Sequence, residues 1–100
     1  MNEDMKQLQE RAGEASALLK TMSNESRLMI LCTLQDQEMT VGELNNLIPL
    51  SQSALSQHLA ALRKAQLVET RKESQQIYYT VTSDKPAHII GALKHIYCPS

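Results

Sequence analysis

The side chains best suited to chemistry in this chain are two thiols, Cys32 and Cys98, and three imidazoles, His58, His88 and His95. Thiolates act as nucleophiles and metal ligands, and imidazoles move protons or bind metals. For a metal, Asp84, His88 and His95 form an incomplete set. The last two histidines are seven residues apart, and no second ligand sits three residues beyond either. A closed zinc site takes four tetrahedral ligands, so neither a metal nor another cofactor is expected. Catalysis is no better served, because no spacing sets a nucleophile beside an oriented base. By residue type alone, Cys32 reads as a small buried hydrophobe and Cys98 as a tail thiol. A non-enzymatic binding module is the expectation.

The elements that would position these groups must come from 100 residues, the size of one small domain with one modest core, and a single domain over residues 1–100 is expected. A content of 42% hydrophobic and 21% charged residues argues against disorder, and no apolar run approaches the ~20 residues of a membrane span. Residues 1–6 are polar and acidic with no apolar stretch behind them, so no secretory signal is read, and a cytoplasmic chain with reduced thiols is expected. With 3% aromatic residues and neither Trp nor Phe, a stacking platform for single-stranded bases is excluded. The net charge of −1 hides an asymmetry: residues 1–50 carry a net of −4 and residues 51–72 a net of +3. A local cationic segment can hold phosphates on a near-neutral protein.

Residues 3–20 read as one helix, with Leu8, Ala12, Ala15 and Leu19 in a narrow stripe suited to close helix contact. A second helix starts at Ser23 or Asn24, and Leu28, Leu31 and Leu34 with Ile30 and Cys32 make it broadly apolar and buried. Thr40-Val-Gly-Glu43 fits a capping box and opens a short helix that Pro49 ends. Ser51 caps the next helix, whose inner stripe is Leu55, Leu59 and Leu62. A short helix, a tight turn and a longer helix with a polar outer face make a helix-turn-helix. Residues 67–72 and 76–82 read as strands joined through a tip at 73–76, which adds a wing. Ser83 or Asp84 caps a last helix, with Pro86 in its first turn and Ile89, Ile90, Leu93, Ile96 and Tyr97 in an apolar stripe. That stripe is too hydrophobic to face water, and a partner subunit is its natural cover. The fold class is mainly α with a small β-hairpin, in the order α-α-α-α-β-β-α: a dimeric winged helix-turn-helix.

On that fold Gln52, Ser53, Ser56, Gln57 and His58 are expected to face the major groove, where Gln can read adenine and Ser or His can meet a base edge or a phosphate. Arg63 and Lys64 would add backbone contacts, and Arg71 and Lys72 on the first wing strand would hold phosphates or enter the minor groove. A winged helix used only to bind other proteins would not need these cations on both the recognition helix and the wing.

The stretches Lys20-Thr-Met-Ser-Asn-Glu-Ser-Arg-Leu-Met-Ile-Leu31 and Leu50-Ser-Gln-Ser-Ala-Leu-Ser-Gln-His-Leu-Ala-Ala-Leu-Arg-Lys-Ala-Gln-Leu-Val68 resemble the second helix and the recognition helix of ArsR/SmtB regulators. Ser56-Gln-His-Leu59 is the most specific part, and the likeness spans residues 17–98. It implies a homodimer on double-stranded operator DNA, built from the first and last helices with Leu8, Ala12, Ala15, Leu93, Ile96 and Tyr97 at the seam. Cys32, Cys98 and the Arg71-Lys-Glu-Ser-Gln75 wing further resemble the HlyU/BigR/SqrR branch. That likeness implies a repressor or anti-repressor whose two cysteines sense oxidants or reactive sulfur by forming a disulfide or polysulfide bridge. The rival readings are a constitutive DNA binder with inert cysteines and a metal-responsive repressor. For the latter, Val41-Gly-Glu-Leu-Asn45 lacks the Cys-x-Cys pair that a thiolate site would need. Two positions depart from the family: Gln66 stands where a Gly often follows the recognition helix, and the wing tip has no Gly.

Overall fold

A computed structural model describes residues 2–82 and 84–98. Its helices are α1 (Glu3–Glu10), α2 (Ala12–Met22), α3 (Glu25–Thr33), α4 (Val41–Leu47), α5 (Gln52–Lys64) and α6 (Asp84–Tyr97), with strands β1 (Val68–Glu73) and β2 (Gln76–Val81) between the last two. The helix starts follow the capping residues. Asn24, rather than Ser23, accepts from the Arg27 N–H at 3.0 Å. The Thr40 hydroxyl and the Glu43 carboxylate close a reciprocal box at 3.1 and 3.0 Å, and Ser51 accepts from the Ala54 N–H at 3.1 Å. At the other end of α4, Ile48 is extended before Pro49, as the proline ring requires. Ser83, named as a possible cap, lies outside the described residues, and Pro86 is buried in the first turn of α6.

One helix was expected over residues 3–20, and the structure has two. At Arg11 the backbone leaves helical geometry, with φ −109° and ψ 12°, and its N–H is shared between the carbonyls of Gln7 and Leu8 at 3.2 and 3.1 Å. This tightened last turn ends α1, and nothing packs on α1 to hold it straight: none of its residues is buried.

The core is wholly apolar among the described residues, with Ile30, Leu31, Leu34, Leu44, Leu55, Leu59 and Leu62 fully enclosed. Leu28 and Cys32, expected to be buried with them, lie at the edge of the core and are only partly covered. Helix α6 packs on α3 through Ile90 and is tied to α2 by an ion pair between Lys85 and Glu14 at 2.5 Å. Beyond Ile90 its stripe emerges: Ile96 is 61% and Tyr97 77% exposed.

Strands β1 and β2 pair antiparallel with Val68 opposite Val81 and Glu73 opposite Gln76, leaving Ser74-Gln75 as a two-residue tip. Met39, ahead of α4, bridges Tyr79 by two backbone hydrogen bonds of 3.0 and 2.8 Å and so fastens the hairpin to the helix pair.

Candidate nucleic-acid interface

Helix α5 owes its orientation to its leucines. Leu55, Leu59 and Leu62 are fully buried, which turns the opposite face outward. With about 100° per residue, Gln52, Arg63, Ser56, Ala60, Ser53, Lys64 and Gln57 fall on one exposed arc of about 140°. Along the helix the small and amide-bearing side chains of this arc come first, and the two cations follow in the last turn. Such a face can enter a major groove and reach base edges. Ahead of it, Asn45 donates to the Leu50 carbonyl at 2.7 Å and fixes the turn between α4 and α5.

His58 lies outside the arc, which corrects its place among the groove-facing residues. It is half-buried, and its Nδ1 accepts from the Nε of Arg27 at 3.3 Å. Arg27 also donates to the Thr21 carbonyl at 3.3 Å, so the imidazole ties α5 to α3 and the end of α2.

The turn from α5 into the wing is a Schellman motif. The N–H of Gln66 reaches the Arg63 carbonyl and that of Leu67 reaches the Leu62 carbonyl, both at 2.9 Å. Gln66 is left-handed at φ 63°, the conformation its family position implies without the usual Gly. Thr82 then donates from its hydroxyl to the Gln66 carbonyl at 3.0 Å, so the two ends of the hairpin are pinned together.

Strand alternation separates the two wing cations. Arg71 stands opposite Tyr78 on one face, whereas Lys72 stands opposite Ile77 on the other. Lys72, Arg63 and Lys64 are exposed and form no ion pair among the described residues, so they are free to meet phosphates. Arg71 is not. Its Nε and Nη2 donate to Glu38 at 3.2 and 2.5 Å, its Nη1 donates to Glu73 at 2.6 Å, and its guanidinium lies 4.8 Å from the centre of the Tyr78 ring. These hydrogen bonds raise the arginine pKa further and hold the Glu38 carboxyl below the usual carboxylate range. Sequence reading missed Glu38, Glu73 and Arg27 as partners. Hairpin alternation could have flagged the Arg71–Tyr78 pair, but no local signal links residues 38 and 71.

The thiols are unbonded. Cys32 is half-buried in the last turn of α3, and Cys98 is exposed just past α6, its N–H continuing the helix to the Lys94 carbonyl at 2.7 Å. Among the described residues no three His, Cys, Asp or Glu side chains gather as a metal site, and His88 meets only the exposed Asp84, at 3.8 Å. No helix among them is long and apolar enough to cross a membrane. The expected seam residues Leu8, Ala12, Ile96 and Tyr97 are exposed, and Ala15 and Leu93 are half-covered.

Helix pair, wing and flanking helices together define a winged helix-turn-helix transcription regulator. The family model described as "Bacterial regulatory protein, arsR family" matches residues 24–70, from the cap of α3 into β1. The chain belongs to that family, whose members are regulators and not enzymes. It is 48% identical over 95 residues to the transcriptional activator HlyU of Vibrio cholerae, covering 95% of this chain and 88% of that protein. The solved structure of the transcriptional repressor BigR from Xylella fastidiosa matches with a TM-score of 0.90 at 42% identity over 100% of both chains. Reduced HlyU from Vibrio cholerae matches with a TM-score of 0.84 at 49% identity, over 93% of this chain and 98% of that one.

Proposed function

We propose that two copies of this chain bind a pseudo-palindromic operator in double-stranded DNA, and that bridging Cys32 to Cys98 changes their grip on it. The observation that carries the DNA reading is the exposed arc of α5, where Gln52, Ser53, Ser56 and Gln57 stand over a fully buried leucine stripe. Arg63, Lys64 and Lys72 supply phosphate contacts around it. A cytoplasmic setting follows from this role. Because the similar proteins include one named an activator and one named a repressor, either sign of regulation fits this chain.

The thiol switch draws support from placement. Cys32 sits on α3, Cys98 follows α6, and α6 packs on α3 while its own last turns stay uncovered. Peroxide would take two electrons and two protons from the pair and leave a disulfide and water. A polysulfide donor would instead take the same two electrons and two protons, release two molecules of hydrogen sulfide and leave its remaining sulfur atoms as a longer chain, which relaxes the Cα separation of ~4.4–6.8 Å that a disulfide demands. Either bridge would draw the end of α6 toward α3 and shift the seam that spaces the two α5 helices. A coupling of ~1–3 kcal/mol would change operator affinity about 5–150-fold. In gel-shift titrations, Cys32→Ser protein is expected to bind its operator equally with and without tetrasulfide or peroxide. A retained response would overturn the switch. The partial burial of Cys32 favours the second reading, a constitutive binder with inert thiols. On that reading, mass spectrometry after polysulfide treatment finds no intramolecular bridge.

A further inference from the structure

Arg71 is the one wing cation whose fork is already full. Both edges of its guanidinium carry a carboxylate: Glu38 accepts from Nε and Nη2, and Glu73 from Nη1. Glu73 comes from the same strand, but Glu38 comes from the segment ahead of α4, and the adjacent Met39–Tyr79 bridge holds it there. The cluster is open to solvent, with 46% of the Arg71 side chain and 41% of the Glu38 side chain exposed, so an incoming phosphate can reach it. Counting Glu69, Arg71, Lys72 and Glu73 of β1 together with Glu38, the wing base carries a net charge of −1. It therefore exerts no long-range pull on DNA.

We propose that Glu38 is a specificity-determining residue: it occupies the phosphate-binding fork of Arg71 in the free protein and yields it only to a phosphate that docking presents in place. This rests on the DNA reading above. A carboxylate and a phosphate oxygen are alike to a guanidinium, since both accept a forked pair of charge-assisted hydrogen bonds. Glu38 thus works as a built-in competitor. It taxes every loose encounter equally, and only a well-docked site, with many other contacts, offsets the exchange. The lowered pKa of Glu38 and the raised one of Arg71 keep both groups charged near neutrality, as the competition requires. The exchange also has a signature in salt. On a loosely bound duplex, where Glu38 keeps the fork, Arg71 neutralises no phosphate and displaces no DNA counterion, so it contributes little to the salt dependence while Glu38 is present.

The test uses the full chain and a labelled duplex of random sequence, titrated at several salt concentrations. Glu38→Gln is expected to bind roughly two- to fivefold tighter, the range of one exposed ion pair. Its slope of log affinity against log salt is expected to steepen by about 0.9, one phosphate contact. Arg71→Ala in the Glu38→Gln background is expected to cancel both gains, while changing wild-type binding far less. Glu73→Gln, which frees the other edge, should shift affinity in the same direction. If Glu38→Gln binds as wild type or more weakly, while its thermal midpoint is unchanged, Glu38 is only a strut for the wing and the proposal falls. Lys72→Ala separates this failure from that of the DNA reading. It should weaken binding and flatten the slope in either background, and a wild-type chain with no salt-dependent affinity would remove both readings together.

Discussion

Among the described residues, Glu14 and Glu38 are the carboxyls whose ionisation the fold displaces, each through a hydrogen-bonded cation: Lys85 at Glu14 and Arg71 at Glu38. Both are lowered, so the sign is fixed. Their contribution to stability is complete above the unfolded carboxyl value of about 4.3 and is lost as pH falls through the lower folded values. The urea midpoint is therefore expected to decline below about pH 4.3, and to decline less in a Glu14→Gln, Glu38→Gln double variant. Parallel curves for the two proteins would acquit these pairs of any part in the acid response. Both partnerships were illegible in the residue string. Arg71 and Glu38 are 33 positions apart, as Arg27 and His58 are 31 apart, and only the folded chain brings them together. Reading residue types could find the cations of the proposed interface but could not tell an idle guanidinium from an engaged one. That is why Arg71 and Lys72 looked equivalent and prove to be different.

Elements fared better where a local rule governs them. The Thr40–Glu43 box, the Ser51 cap and the leucine stripe of α5 depend on neighbours within four residues, and each stands where its spacing put it. The break at Arg11 is not readable from the string, where good helix formers run through residues 3–12; it shows only in the shared Arg11 N–H and in the absence of any buried residue on α1. Gln66 is an intermediate case: its departure from Gly was visible, and its left-handed φ of 63° shows that the turn keeps its shape regardless. A left-handed non-Gly residue costs ~1–2 kcal/mol, against which Gly loosens the unfolded chain by ~0.4–1 kcal/mol. Gln66→Gly is thus expected to stabilise the protein by about 0.5–1 kcal/mol, read as a higher urea midpoint at unchanged slope. A lower midpoint would mean that the Gln66 side chain makes a contribution larger than its strain.

As a whole the chain is drawn out, 52 × 32 × 21 Å with a radius of gyration of 15.1 Å, against about 13 Å for a compact chain of this length. Among the described residues Met29, Leu47 and Ile77 are uncovered on α3, α4 and β2, and the other exposed large apolar side chains lie on the outer helices: Met5, Leu8 and Leu19 on α1 and α2, Ile96 and Tyr97 on α6. These are the surfaces that the proposed dimer would bury, and a dimer would set two α5 helices about one DNA turn, ~34 Å, apart. In sedimentation, the wild-type chain is expected to run at twice its formula mass, and an Ile96→Asp, Tyr97→Asp variant at the formula mass with much weaker operator binding. A wild-type chain that stays single at micromolar concentration would exclude the arrangement. Helix α1 adds a consequence of its own. It has eight residues and buries none of them, whereas isolated helices shorter than ~12–15 residues are marginal in water. Its order would then depend on being sheltered by another protomer, intact in a crowded pool and frayed in a dilute one, which ties the regulator's lifetime against proteases to its copy number.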